Sequence, residues 1–147
     1  MVKVKFKKLS ENATVPSYGS AFAAGADLYA CTNRETVTFA PGETKMIHTG
    51  ISLEIPEGYA GLVYARSGIA TKRGLAPANK VGVIDSDYRG EIMVSLHNHS
   101  CEVQEIGDKE RIAQLVIAPF LAVDFVEADE LSDTDRGAGG FGSTGTK

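Results

Sequence analysis

Apolar residues recur at every second position in one short run after another, and turn residues separate the runs. Val2, Val4 and Phe6 alternate with Lys3, Lys5 and Lys7, the spacing of a strand that buries one face. Thr36 to Phe39, Lys45 to His48, Ile51 to Ile55, Gly61 to Tyr64, Glu91 to His97, Arg111 to Ala118 and Leu121 to Val126 are likewise short and rich in Val, Ile, Thr or aromatics. Gly42, Gly50, Pro56 to Gly58 and Gly107 punctuate them. Many short strands at close spacing predict an all-β barrel or sandwich. One segment reads as helix, Ser67 to Arg73, opened by a serine able to cap it and closed by Gly74. No internal repeat or linker interrupts the pattern. A chain of 147 residues, 43% of them hydrophobic, is one domain's worth of core.

Charge and cysteine content narrow the function classes. A net charge of −4 argues against a non-specific nucleic-acid binder, which needs an excess of Lys and Arg to displace counterions. Any anion this chain binds must therefore be met by local cations. Cys31 and Cys101 are too few for a disulfide scaffold and read as reduced thiols. The N-terminus lacks the apolar run of a signal peptide, and no segment approaches the length of a membrane span. The expected setting is the cytoplasm, with no membrane partner.

Several segments carry candidate chemistry. Ala65-Arg66-Ser67-Gly68 lies where an apolar strand meets the helix start, so free backbone N–H groups and the Arg66 guanidinium could meet an anion; a plain helix cap beside a surface arginine is the bland alternative. In the tail, Arg136 precedes five glycines between Gly137 and Gly145, with Phe141, Ser143 and Thr144 among them. Glycines allow close approach of backbone amides to phosphate, and a lone aromatic suits stacking on a base. This tail is expected to be mobile until something orders it. Asn79 to Glu91 reads as a buried strand, a polar turn and a returning strand, with Asp85 at the edge of a dry region where it could orient and deprotonate a water. Asp87 and Arg89 suit a turn carboxylate bonding its own backbone and an ion pair that holds the hairpin, while either Asp85 or Asp87 could instead bind a metal, which spacing alone does not decide. His97, His99 and Cys101 would share a strand face, which permits zinc, but the sequence supplies no second cluster to complete a site. Asp27 and Gln114 are polar residues inside apolar strand sequence, suited to a buried hydrogen bond or to a ligand contact.

Taken in order, AGADLYA, ARSGIA, NKVGVIDSDYRGE, ERIAQLVI and RGAGGFGSTG resemble the five motifs of the trimeric dUTP diphosphatase (dUTPase) family, from residue 24 to residue 145. Lys109 departs from the pattern, standing where the fourth motif usually has glycine. The resemblance implies a distorted, jelly-roll-like β-barrel over residues 1–135 with a C-terminal lid at 136–147. It also implies a homotrimer whose active sites are shared between subunits. Carried onto this chain, it makes Asp85 the general base that activates water for attack on the α-phosphorus of dUTP, giving dUMP and pyrophosphate. Arg66, Ser67, Gly68 and Gln114 would hold the phosphate chain, and Arg136, Gly142, Ser143 and Thr144 would close over its far end. Mg²⁺ would bind the phosphates, with Asp27 reaching it only through water. Asn79, Gly82, Val83 and Ile84 would read uracil through the hairpin backbone. Tyr88 would lie against the deoxyribose, Met93 would line the pocket and Phe141 would stack on the base. The related dCTP deaminases share the barrel, but the aromatic lid with its hydroxyls favours the diphosphatase. A nucleotide-dependent regulator is a third reading, disfavoured by an intact Asp85.

Overall fold

The computed structural model describes residues 2–140. The elements run β1 (Lys5–Lys8), β2 (Ser17–Tyr18), β3 (Ala26–Tyr29), β4 (Val37–Phe39), β5 (Thr44–Glu54), β6 (Tyr59–Ala65), α1 (Ser67–Arg73), β7 (Leu75–Pro77), β8 (Gly82–Ile84), β9 (Glu91–Asn98), β10 (Gln104–Ile106) and β11 (Arg111–Pro119). Two larger sheets, ordered β1-β5-β9-β7 and β2-β3-β11-β6-β8, accompany a two-stranded β10-β4 ribbon, and all pairings are antiparallel. The sheets do not close into a true barrel; the fold is all-β, distorted and jelly-roll-like.

Period-two patterning explains the core. In β9, Ile92, Val94, Leu96 and Asn98 are buried on one face, which turns Met93 to the other. Ile92, Val94 and Leu96 join Ile47, Ile51 and Leu75 from the same sheet and Leu28, Val63, Ala113 and Leu115 from the other in one cluster. Asn98, fully buried, donates from Nδ2 to the carbonyls of Phe39, Ala40 and Glu102, while its Oδ1 accepts from Ser100. A buried amide this well satisfied cross-links three segments instead of destabilising the core.

Four details differ from the expectation. Lys45 to His48 and Ile51 to Ile55 are one strand, β5, because the chain passes Gly50 at φ 68 as a bulge and not as a turn. The cap of α1 is Arg66, with no side-chain cap bond, so Ser67 is already the first helical residue. β1 is exposed throughout, with Phe6 half exposed, because none of the described residues covers its apolar face. Leu121 to Val126 form no strand: Leu121 is 88% and Phe125 94% exposed, and no strand edge among the described residues pairs with them. The helix end matches its expectation, with Gly74 at φ 68 donating back to Ala70. Cys31 and Cys101 are both free thiols.

Candidate active site

The segment from β8 to β9 builds the first part of the site; its sequence predicts a paired hairpin, but β8 pairs with β6 and β9 with β5 and β7, so this hairpin-like turn joins the two sheets and its legs do not pair with each other. Among the described residues, β8 is the last strand of its sheet, paired only with β6 through Gly61↔Ile84, Leu62↔Val83 and Val63↔Gly82. Alternate N–H and C=O groups of an edge strand point away from its partner and are open to a ligand. Against that edge lies a cavity of about 240 Å³ whose lining includes Asn79, Gly82, Val83, Ile84, Asp85, Tyr88 and Met93. All seven hairpin residues singled out from the sequence therefore meet in one space. The strand is less dry than its composition suggests: Val83 is 64% exposed and Asp85 stands in the open, because an edge strand has one face uncovered. Asp85 borders both this cavity and a wider cleft lined by Asp87 and Arg89.

Local packing fixes the hairpin's shape. A Cβ at Gly82 would lie 3.1 Å from Asn79 Nδ2 and 3.3 Å from Val63 Cβ, so a side chain there would require Asn79 or β6 to give by a few tenths of an ångström. At Gly90 an added Cβ would overlap the Tyr88 ring and hydroxyl; the ring folds across the glycine and its hydroxyl donates to the Glu91 carbonyl at 3.0 Å. Arg89 closes the turn by donating from Nη1 to the carbonyls of Ser86 (2.6 Å) and Tyr88 (3.0 Å). The ion pair expected between Asp87 and Arg89 is not found among the described residues; Arg89 holds the turn through backbone carbonyls instead.

A second group forms around Asp27. Its carboxylate, 6% exposed, accepts from Arg66 Nε (3.3 Å) and Gln114 Nε2 (3.4 Å) on Oδ1 and from Arg111 Nη1 (3.3 Å) on Oδ2. A nearly buried carboxylate is tolerable because charged donors meet both oxygens. Register explains the meeting. Gln114 lies opposite Asp27, and β6 delivers Arg66 from the other side of β11. Gly68 completes the arrangement, since a Cβ there would press on Arg66 Nη1 at 2.9 Å, and Ser67 lies between them, exposed.

Arg111 was not anticipated. It lies three positions before Gln114, an odd spacing that puts two residues on opposite faces of a regular strand. A bulge between Arg111 and Ala113 adds one residue to β11 and brings both side chains to Asp27. Alternation alone carries no signal for such a bulge.

The remaining expected residues are not gathered here. Arg66, Ser67, Gly68, Gln114 and Asp27 do not line the hairpin cavity. Arg136 is exposed and donates from Nε to its near neighbour Gly139. Phe141, Gly142, Ser143 and Thr144 lie outside the described residues. Among the described residues, no three His, Cys, Asp or Glu side chains cluster as metal ligands. His97 Nδ1 instead lies 2.7 Å from the Thr44 hydroxyl. Desolvation, then the neighbouring His97 and Lys80, holds the His99 imidazole below its usual pKa.

An all-β, jelly-roll-like fold with a nucleoside-sized cavity and an arginine–carboxylate cluster, joined by β6, has the makeup of a nucleotide hydrolase. Comparison with known proteins makes the class specific. The dUTPase family profile matches residues 11–145. The chain is 53% identical over 144 residues to the deoxyuridine 5'-triphosphate nucleotidohydrolase of Nautilia profundicola, covering 98% of this chain and 99% of that protein. It is 47% identical over 148 residues to the enzyme of the same name from Hahella chejuensis, covering 100% and 97%. Among solved structures, a mutant dUTPase of Staphylococcus bacteriophage 80alpha with dUpNHpp superimposes with TM-score 0.87 at 31% identity, covering 97% of this chain and 98% of that one. A mutant dUTPase of phage phi11 of S. aureus, described as coordinating a structural Mg(II) ion, gives TM-score 0.80 at 27% identity over 89% and 99%. The chain belongs to the dUTPase family and is an enzyme of that family. No helix among the described residues is long and apolar enough to cross a membrane.

Proposed function

We propose that the chain hydrolyses dUTP to dUMP and pyrophosphate, with Asp85 as general base. The observation that carries this is the hairpin cavity, where an exposed carboxylate stands beside an edge strand with unpaired backbone groups. Asp85 takes a proton from water as the water oxygen bonds to the α-phosphorus. The anhydride bond to the β-phosphate then breaks, and pyrophosphate leaves with the electron pair. Such a transfer asks the protein mainly for positioning and charge neutralisation. The product would supply thymidylate synthesis, and the reaction would keep uracil out of DNA.

At about 240 Å³ the cavity is smaller than the roughly 300–1,000 Å³ of drug-sized sites, in keeping with holding the nucleoside while the phosphates extend outside. Uracil presents acceptor, donor and acceptor along one edge, and backbone groups between Asn79 and Ile84 can offer the complement. Cytosine would leave mismatched buried groups, a penalty of about 1–3 kcal/mol each. Tyr88 excludes a 2′-hydroxyl.

The phosphates would meet Arg66, Ser67, Gly68 and Gln114 from a neighbouring copy, since these do not line the cavity within one chain. A homotrimer with shared sites accounts for that separation. It also accounts for two apolar surfaces that one chain leaves uncovered: the side chains from Leu121 to Leu131, and a groove of about 440 Å³ lined by Val2, Val4, Phe6 and Tyr18. Residues 136–147 would act as a lid, with Phe141 stacking on the base and Arg136, Gly142, Ser143 and Thr144 over the terminal phosphates.

The residues fit Mg²⁺ held by phosphate oxygens and water and not by a protein cage. Both Asp27 oxygens already accept from Arg66, Arg111 and Gln114, so Asp27 is suited to reach the ion through water only. When bound, Mg²⁺ neutralises phosphate charge.

The test is product analysis with dUTP, dTTP, dCTP and UTP. Mg²⁺-dependent release of dUMP and pyrophosphate from dUTP alone is expected, while ammonia from dCTP would overturn the reading. Asp85→Asn should lose about 10²–10⁴-fold in kcat yet still bind dUTP. Wild-type turnover by that variant would remove Asp85 from its role.

A further inference from the structure

The outgoing leg of the Asp85 hairpin is an edge strand, whereas the returning leg is tied down at several points. β5 and β9 pair regularly from Thr44↔His97 to His48↔Met93. Three residues of β5, Thr49 to Ile51, then stand against Ile92 alone before pairing resumes at Ser52↔Glu91. A bulge of this size leaves ladder groups without their usual partners. Side chains take over. The Gly50 N–H donates to Glu91 Oε1 at 2.7 Å, and Glu91 Oε2 lies 2.8 Å from His48 Nδ1. The Thr49 hydroxyl donates to the Ile92 carbonyl and the Ser52 hydroxyl to the Arg89 carbonyl, each at 2.6 Å.

The bulge itself is rigid. Gly50 is at φ 68, and a Cβ there would stand 2.8 Å from Ala13 Cβ and 3.2 Å from Cys31 Sγ. Its carbonyl accepts from the Leu9 N–H at 2.8 Å, and the neighbouring His48 carbonyl accepts from Cys31 N–H at 2.8 Å. Glu91 is therefore fastened to a part of β5 that cannot readily shift. Through the Glu91 carbonyl, which accepts from the Tyr88 hydroxyl, the anchor reaches the ring expected to face the sugar.

We infer that Glu91 is a positioning residue for dUTP hydrolysis: its carboxylate locks the return leg of the hairpin to the β5 bulge and so fixes Asp85 and Tyr88 at the cavity. This rests on the reading of that cavity as the nucleotide site. Glu91 also lines the cavity, but both its carboxylate oxygens are engaged with β5, which leaves it to act by holding the hairpin in place. Small misplacements are expensive in such a site, since about 1 Å can cost about 100-fold in rate.

The experiment compares wild type, Glu91→Ala, Glu91→Gln and Ser52→Ala. It measures kcat and KM for dUTP, Kd for a non-hydrolysable dUTP analogue, melting temperature, and amide exchange across residues 85–91. Glu91→Ala is expected to lower kcat by about 10- to 100-fold well below its melting temperature, with a much smaller change in analogue Kd and faster exchange across the hairpin. Glu91→Gln, whose amide oxygen can still accept from Gly50, should recover most of the rate. Ser52→Ala should lower kcat in the same direction by a smaller factor, and it carries the test if Glu91→Ala does not fold. Wild-type kcat in Glu91→Ala, or in Ser52→Ala where only that variant folds, would reduce the network to fold stability and overturn the inference. Equal losses in Glu91→Ala and Glu91→Gln would overturn it too, by pointing to the charge itself. Unchanged exchange across 85–91 overturns the positioning claim alone, whereas wild-type protein inert on dUTP overturns the parent reading.

Discussion

Lys109 holds a backbone conformation that suits glycine, and replacing it should stabilise the protein. Its φ is 60°, its side chain is exposed, and its N–H donates to the Ala30 carbonyl at 2.9 Å, a bond that glycine would keep. An L-residue in the left-handed region costs about 1–2 kcal/mol. Glycine removes that strain but loses about 0.5–1 kcal/mol through its greater freedom in the unfolded chain. Lys109→Gly should therefore gain between about 0 and 1.5 kcal/mol, centred on about 0.75 kcal/mol. In a domain of this size the central value corresponds to a rise of about 1–4 °C in Tm. Lys109→Ala is the control, because it removes the same side chain contacts while retaining the strained φ, and its Tm should match wild type. Scanning calorimetry of the three proteins at one protomer concentration makes the comparison, since assembly would otherwise link Tm to concentration. A lower Tm in Lys109→Gly than in wild type, or an equal gain in Lys109→Ala, would refute the strain argument. The loop concerned leads directly into Arg111, and its departure from the family's usual glycine then has a measurable energetic consequence.

Asp27→Asn leaves the Arg66 and Arg111 cations without their shared counter-charge. Because both arginines are partly solvated, the expected loss is about 1–3 kcal/mol in urea titrations, and a loss below about 0.5 kcal/mol would show that they do not depend on it. Gly90→Ala should push the Tyr88 ring off the Glu91 carbonyl and reduce discrimination of dUTP over UTP by roughly tenfold, the worth of one hydrogen bond, in paired kcat/KM measurements. An unchanged ratio would separate Tyr88 from sugar selection. Truncation after Asp135 should lower turnover by at least about tenfold while moving Tm by less than about 2 °C. Equal loss of both would show that the tail is part of the core and not a lid.

The sequence made local periodicity legible and left long-range partners obscure. α1 could be read because its pattern and its glycine stop are contained within eight residues, Ser67 to Gly74. The hairpin residues from Asn79 to Met93 were legible as a group because a strand, turn and returning strand lie consecutively in the chain. β10 went unread because Gln104-Glu105-Ile106 offers one apolar residue against two polar ones, whereas the equally short β4 has Val37 and Phe39 alternating about Thr38. The apolar alternation of Val2 to Phe6 and Leu121 to Val126 signalled buried strands, yet among the described residues only Val4 packs against the core and the others stay exposed. Arg111 was missed for a geometric reason, since its reach to Asp27 depends on an irregularity in β11 that alternation cannot encode.

That irregularity means the fourth motif is not portable as a string of letters. Grafted onto an unbroken strand of another scaffold, ERIAQL would send its arginine and glutamine to opposite sides, and the transplanted chemistry would arrive split. A designer borrowing this site would have to import the surplus residue together with the neighbouring strand that tolerates it. Shortening β11 by a single residue would be a harsher change than any substitution at Arg111 itself.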